Sequence, residues 1–278
     1  MTIPKIPLAA VIGSPIAHTK SPLLHTYWLN QLGISGFYIP IDVAPCNLKD
    51  VLQNMPKMGF VGANITIPHK EKVLLLADEV SDRASVIGAA NTLSFSQNGK
   101  IYADNTDGIG FINNIRQNAP EWVPQNGPAM LLGAGGAARA VVACLLENGV
   151  PEIRIANRTK LRAEQFVKDF GKKIKVIDWL NASHVVNDLN ILVNTTSLGM
   201  SGKPPLNINL DRLSYKTLVT DLIYTPLETY FLKAAHDKGC TTVDGLGMLI
   251  HQALVGFERW FGENPEVNQE VRKILQKG

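Results

Sequence analysis

Two patterns of apolar residues alternate along this chain. Short apolar runs bounded by Gly, Pro, Asn or Asp read as strands. Longer stretches with apolar positions at helical spacing read as helices. In the first half, strands are expected at residues 8–13, 37–42, 62–67, 92–96 and 100–104, with a helix over 22–32 between the first two. Ser21-Pro22 marks the start of that helix. Serine suits the N-cap, and proline at the first helical position gives up an N–H that has no intrahelical partner. The stretch 118–128 holds Asn118, Pro120, Pro124, Asn126 and Pro128, and reads as the approach to a second domain. Beyond it, strands are expected at 129–132, 153–156, 174–178, 191–195, 218–222 and 241–243. Six strands with helices between them suit a doubly wound parallel sheet. Helices over 246–261 and near 266–276 follow the last strand, and are expected to return to the first domain.

Composition narrows the picture. A chain of 278 residues can bury two ordinary cores. With 45% hydrophobic and 18% charged residues it is a folded protein rather than a disordered one. The net charge of +3 is spread along the chain, which suits a small anionic ligand and argues against nucleic acid. Cys46, Cys144 and Cys240 are odd in number and far apart, so neither a disulfide framework nor a zinc site is expected. The six histidines form no HExxH-type pair, and no metal is expected. Met1-Thr2-Ile3-Pro4-Lys5 carries no apolar signal core, and no apolar run reaches membrane length, so a cytoplasmic location is expected. Oligomeric state is not legible, and a homodimer is compatible with the sequence.

Candidate chemistry begins at residue 133. The expected strand 129–132 is followed by Gly133-Ala134-Gly135-Gly136-Ala137-Ala138 and then by a helical run over 139–147. This is G-x-G-x-x-A in a strand–turn–helix setting, the context that turns a glycine-rich turn into a dinucleotide site. The first glycine permits the tight turn, the second admits the pyrophosphate, and Ala138 allows close helix–strand packing. Free N–H groups at the helix start then favour a phosphate. After the second strand of this unit, an NAD protein usually places an acid for the ribose 2′-hydroxyl. Here the chain reads Asn157-Arg158-Thr159-Lys160-Leu161-Arg162. A guanidinium such as that of Arg158 or Arg162 can hold a 2′-phosphate bidentately, so the expected cofactor is NADP.

Polar clusters punctuate the strand ends of the first half: residues 13–22, Asn64 to Lys70, Gly88 to Thr92, and Asp104 to Gly108. Asn194 to Met200, Asp221 to Pro226 and Asp244 to Gln252 follow later. Together and in this order they resemble the shikimate dehydrogenase family over nearly the whole chain. The resemblance implies NADPH-dependent reduction of 3-dehydroshikimate to shikimate, a step of aromatic amino acid biosynthesis. It implies a substrate domain over 1–107, a Rossmann NADP domain over 108–240, and C-terminal helices over 241–278 returning to the first domain. The active site is expected in the cleft between the domains.

The resemblance assigns Lys70 and Asp107 as the catalytic pair. The pairing makes chemical sense, because an ammonium can stabilise and protonate the oxygen of a ketone that receives a hydride. Thr19 and Ser21 match the hydroxyls that bind the substrate carboxylate, and Tyr224 a position near it. Thr66, Asn91, Asp107 and Gln252 match the ligands of the ring hydroxyls. Gly133, Ala134, Gly135, Gly136, Ala137, Asn157, Arg158, Thr159, Arg162, Thr195, Leu222, Gly245 and Met248 are expected at the cofactor, with Met248 as wall or core. His18, His25 and His69 read as structural. Position 19 departs from the family's commoner serine, and Leu198 stands where a small residue is common.

Overall fold

The computed structural model describes residues 6–17 and 19–277. Met1 to Lys5, His18 and Gly278 lie outside them, and so do the expectations drawn from the first five residues and from His18. The chain forms two compact units: residues through Asp107 together with those from Leu249 onward, and Gly108–Met248. The second boundary falls after Met248 rather than at residue 240, so residues 241–248 go with the second unit.

The first unit begins with β1 (Leu8–Gly13), α1 (Ser21–Gln31), β2 (Phe37–Asp42), α2 (Leu48–Asn54) and β3 (Phe60–Ile65). It continues with β4 (Glu79–Val80), α3 (Asp82–Ile87), β5 (Thr92–Phe95) and β6 (Ile101–Asp104). Its sheet has the order β2-β1-β3-β5-β6-β4. β1 runs parallel to both β2 and β3, while β5 is antiparallel to β3 and β6. β1 is apolar and buried along almost its whole length, as a central strand covered on both faces should be. β2 lies at an edge, where Pro40 leaves no central ladder bond unmade. β3 ends at Ile65, two residues earlier than expected, which leaves Thr66 just beyond the strand.

The start of α1 differs from the expectation. Ser21 is its first residue, and Lys20 occupies the cap with no side-chain cap bond. The Ser21 N–H instead reaches the Thr19 hydroxyl at 3.3 Å, so the preceding loop satisfies the amide that a capping serine would have served.

The second unit holds α4 (Asp107–Asn118, whose first residue closes the first unit), β7 (Ala129–Leu132), α5 (Gly136–Glu147), β8 (Ile153–Ala156), α6 (Lys160–Phe170) and β9 (Ile174–Ile177). Then come β10 (Ile191–Asn194), β11 (Leu218–Asp221), α7 (Tyr230–Asp237) and β12 (Thr242–Val243). Its strands are all parallel, in the order β12-β11-β10-β7-β8-β9. This is the doubly wound Rossmann order, with the topological switch between β7 and β10, where ligands bind beyond the strand ends. One core cluster joins Phe111, Leu131, Val141 and Val193; another joins Met130, Leu192, Leu206 and Phe231.

Two helices end the chain, α8 (Leu246–Phe261) and α9 (Gln269–Lys277). From Leu249 onward they belong to the first unit. Trp260 of α8 stands over Gly62 of β3 and donates its indole N–H to Leu93 O at 2.9 Å. A Cβ at Gly62 would run into that indole, so only glycine fits there.

Candidate active site

In the first unit, the turn after β3 and the end of β6 bring two charged residues together. Lys70 Nζ donates to Asp107 Oδ2 at 2.6 Å. The lysine side chain is 23% exposed and the aspartate 9%, so the ammonium keeps a path outward while the carboxylate is held inside. The other carboxylate oxygen is also held: Asn91 Nδ2 donates to Asp107 Oδ1 at 2.8 Å. The same amide nitrogen lies 3.1 Å from both Gln252 Oε1 and Thr106 Oγ1. Gln252 Nε2 in turn donates to Leu249 O at 3.1 Å, and the Ala90 N–H donates to Lys70 O at 2.8 Å. A lysine carries three N–H donors, and one is committed to Asp107, so an oxygen brought to Nζ can take another.

Asp104 fixes the backbone that presents Asp107. Its carboxylate is fully buried and accepts from Ser81 Oγ at 2.7 Å, Arg83 Nε at 2.6 Å, Arg259 at 2.6 Å and the Asn105 N–H at 2.7 Å. Burial pushes this carboxyl up, but the bonds from Arg83, Ser81 and Arg259 outweigh it and hold it well below the usual carboxylate range. Asn105 Oδ1 then accepts the Asp107 N–H at 3.0 Å.

Thr19 and Ser21 stand together, with the Thr19 hydroxyl 3.3 Å from Ser21 Oγ. Two further buried residues with polar groups adjoin the cluster: Tyr38, which the sequence did not single out, and Asn64, which opens one of the polar clusters but was given no role there. Tyr38 donates to Asn64 Oδ1 at 2.6 Å, and Asn64 Nδ2 donates to Asn91 O at 3.1 Å. The available signal was an asparagine inside the apolar run Phe60 to Ile65, since a buried polar residue in such a strand requires partners. His25 and His69 fit the structural reading. His25 is fully buried and stacked on Tyr38, and His69 Nε2 lies 2.7 Å from Val43 O. Tyr224 stands in the second unit and is not part of this hydrogen-bonded cluster.

In the second unit, Gly133 has φ +112°, which L side chains rarely adopt. A Cβ there would also meet Thr195 Oγ1 at 2.7 Å and Thr196 Cγ2 at 2.9 Å. Thr195 Oγ1 donates to Leu132 O at 2.9 Å, locking the turn against β7. Gly135 caps α5 and Gly136 opens it, and at both the space a Cβ would take is empty. A bare helix N-terminus beside open space is what an approaching diphosphate requires. Ala138 is fully buried. After β8, Asn157 Nδ2 donates to Thr159 O at 2.8 Å, and Arg158 and Arg162 point to solvent with no acid at the strand end. These residues fit a dinucleotide that carries a 2′-phosphate. Gly245 lies so close to the carbonyls of Leu222 and Ile223 that a Cβ would collide with them. Met248 is in the core cluster, and Leu198 packs against the other core of this unit, which draws its added bulk inward.

Comparison with known proteins bears on both units. Residues 11–93 match the model of the shikimate dehydrogenase substrate binding domain, 121–200 the shikimate/quinate 5-dehydrogenase model, and 245–269 the shikimate 5′-dehydrogenase C-terminal domain. A shikimate dehydrogenase (NADP(+)) of Cereibacter sphaeroides is 62% identical over 271 residues, 98% of this chain and 97% of that protein. The Thermus thermophilus shikimate 5-dehydrogenase in complex with NADP(H) and shikimate superposes with TM-score 0.87 at 33% identity, covering 98% of this chain and 99% of that one. The quinate dehydrogenase of Corynebacterium glutamicum in complex with NAD gives TM-score 0.89 at 30% identity over 98% of each chain. With the Lys70–Asp107 pair in one unit, the glycine turn in the other and near-full-length identity above 60%, the chain belongs to the shikimate dehydrogenase family.

Proposed function

We propose that this enzyme interconverts 3-dehydroshikimate and shikimate with NADP, and that Lys70 and Asp107 are its acid–base pair. The observation that carries the pair is the 2.6 Å contact between Lys70 Nζ and an aspartate whose other oxygen is fixed by Asn91. Bound NADPH supplies the hydride. Lys70 donates a hydrogen bond to the ketone oxygen, stabilises the negative charge that builds there and delivers a proton to it. Asp107 accepts from Lys70 Nζ and so orients it towards the ketone oxygen. In the reverse direction Lys70 takes the hydroxyl proton. Asn91 and Gln252, with Thr66, hold the ring hydroxyls, while Thr19 and Ser21, with Tyr224, hold the carboxylate. Arg158 and Arg162 hold the 2′-phosphate, and the turn Gly133 to Ala137 with Thr195 receives the diphosphate. The free cysteines, Cys46 at the surface among them, fit a reducing cytoplasm.

Spectrophotometric assay of the pure protein with shikimate or quinate, against NADP or NAD, tests this function. Shikimate with NADP is expected to be best, with NADP favoured over NAD by about two to three orders of magnitude in kcat/KM, since charged contacts contribute roughly 1.5–3 kcal/mol each. Preferential turnover of quinate with NAD would overturn it.

A further inference from the structure

The Asn91–Asp107–Lys70 cluster depends on which way one buried amide is turned, and a threonine with no assigned role bears on that. The backbone of Asn91 is fixed by its neighbours: its N–H donates to Asp104 O at 3.0 Å, and its carbonyl accepts the Ile65 N–H at 2.8 Å. What remains to be set is the rotation of the side-chain amide, a torsion with a broad, roughly two-fold preference. The Thr106 N–H lies 2.8 Å from one end of that amide, and a backbone N–H can only donate, so that end is Oδ1. Nδ2 therefore faces Asp107 Oδ1 at 2.8 Å, which leaves Asp107 Oδ2 to Lys70. The second Nδ2 hydrogen is shared between Gln252 Oε1 and Thr106 Oγ1, each at 3.1 Å. Thr92, the first residue of β5, is fully buried beside this amide. It stands opposite Asn64 of β3, so the two side chains share a face of the sheet. Asn64 Nδ2 donates to Thr92 Oγ1 at 3.3 Å, and the Thr92 hydroxyl donates to Asn91 Oδ1 at 2.9 Å. Thr106 Oγ1 is 3.2 Å from Thr92 Oγ1, but its own proton has a carbonyl acceptor in Gln252 O at 3.0 Å.

We propose that Thr92 is a positioning residue: its hydroxyl and the Thr106 N–H together lock Asn91 Oδ1, so that the Nδ2 hydrogens stay turned to Asp107 and to Gln252. The proposal rests on the roles given above to Asn91 and to the Lys70–Asp107 pair. The opposite orientation would set Asn91 Oδ1 against the Asp107 carboxylate and Nδ2 against the Thr106 N–H, two like pairs with no bond between them. Thr106 opposes that flip with one backbone donor, and Thr92 adds a second donor to the same oxygen. Threonine is stiff at χ1, so its hydroxyl is held in one direction. When a ring hydroxyl draws the shared Nδ2 hydrogen away from Gln252 and Thr106, the two bonds on Oδ1 keep the other hydrogen on Asp107.

A kinetic cycle with a conservative rescue tests this. Thr92→Val keeps the branched shape and removes the hydroxyl. It is expected to lower kcat/KM for shikimate about five- to thirtyfold, the effect of one lost buried bond, and to leave KM for NADP within about twofold. Thr92→Ser keeps the hydroxyl and should stay close to wild type. In an Asn91→Ala background Thr92→Val should cause no further loss, because Thr92 acts through Asn91. Three results overturn the proposal and leave the reading of Asn91 intact: wild-type kinetics in Thr92→Val, an equal loss in Thr92→Ser, or a full further loss in the Asn91→Ala background. A parallel rise in KM for NADP marks a merely structural role and also overturns it. Wild-type kinetics in Asn91→Ala overturns the reading and the proposal together. Neutron diffraction from wild-type crystals exchanged into heavy water gives an arm that needs no variant. A deuteron on Thr92 Oγ1 is expected to point at Asn91 Oδ1, and one on Asn91 Nδ2 at Asp107 Oδ1. An amide turned the other way, or a Thr92 deuteron directed elsewhere, contradicts the proposal.

Discussion

Thr19 keeps a hydroxyl 3.3 Å from Ser21 Oγ and adds a methyl to the place where the family more often has serine. Its hydroxyl also receives the Ser21 N–H, so part of its capacity already serves the turn that starts α1. Thr19→Ser keeps both bonds and is expected to leave shikimate turnover within about tenfold. Thr19→Val keeps the shape and removes the hydroxyl, and should weaken shikimate binding by roughly 1–3 kcal/mol through the lost bond and the unpaired groups it leaves. Shikimate KM measured for the two variants side by side checks this, and unchanged binding in Thr19→Val would make residue 19 a loop residue only. Arg158 is exposed, and under the proposed function it holds the 2′-phosphate. Arg158→Ala should raise KM for NADP by about tenfold or more and barely change KM for NAD, because only NADP carries the phosphate that a guanidinium grips.

The turn between β7 and α5 uses its glycines for different reasons. Gly133 needs its conformation, with φ at +112° and Thr195 in the way of any Cβ. Gly133→Ala should therefore destabilise the fold by about 1–3 kcal/mol. Gly135 has extended backbone and open space where a Cβ would stand. Gly135→Ala should melt close to wild type yet bind NADP much more weakly, since the methyl occupies the diphosphate's approach. Scanning calorimetry with fluorescence titration separates the two, and equal loss of stability in both variants would contradict the distinction. This turn was legible in sequence because local signals sufficed: a buried strand, spaced glycines and a helical run. The six strands of the second unit were legible for the same reason. The short elements of the first unit were harder to read. β4 has two residues, and α3 declares itself mainly through Ser81, which accepts from the Ala84 N–H at 3.2 Å. The start of α1 moved by one residue because Thr19, outside the helix, serves the Ser21 amide. Nothing near Tyr38 or Asn64 in sequence says that β2 and β3 bring them into contact across β1, as pairing between distant strands does.

Across the whole molecule, two of the groups whose pKa is displaced, His25 and Asp104, contribute to the response to acid. His25 is fully buried, with neither ring nitrogen hydrogen-bonded among the described residues, and burial lowers its pKa from 6.5 to about 3. Between those values the unfolded chain holds a proton that the folded one refuses, so stability falls as pH drops, by up to about 1.4 kcal/mol per pH unit. His25→Phe keeps an aromatic ring in the stack and should flatten this slope in urea melts run between pH 7 and 4; an unchanged slope would contradict it. Asp104 acts lower. Its carboxyl is held below the usual range, so its contribution is complete above the unfolded pKa and is lost as pH falls towards the folded value. The Arg83 and Arg259 contacts then loosen, and with them the backbone that carries Asp107. The arrangement culminates in Lys70, which is held by Asp107 and under the proposed function donates to the substrate oxygen. The most direct test is steady-state oxidation of shikimate with NADP by Lys70→Ala. The account predicts a fall in kcat of about 10²–10⁴-fold, the range for a positioned acid–base group, with KM for shikimate changed by less than about tenfold. A Lys70→Ala enzyme that keeps most of the wild-type kcat would contradict it.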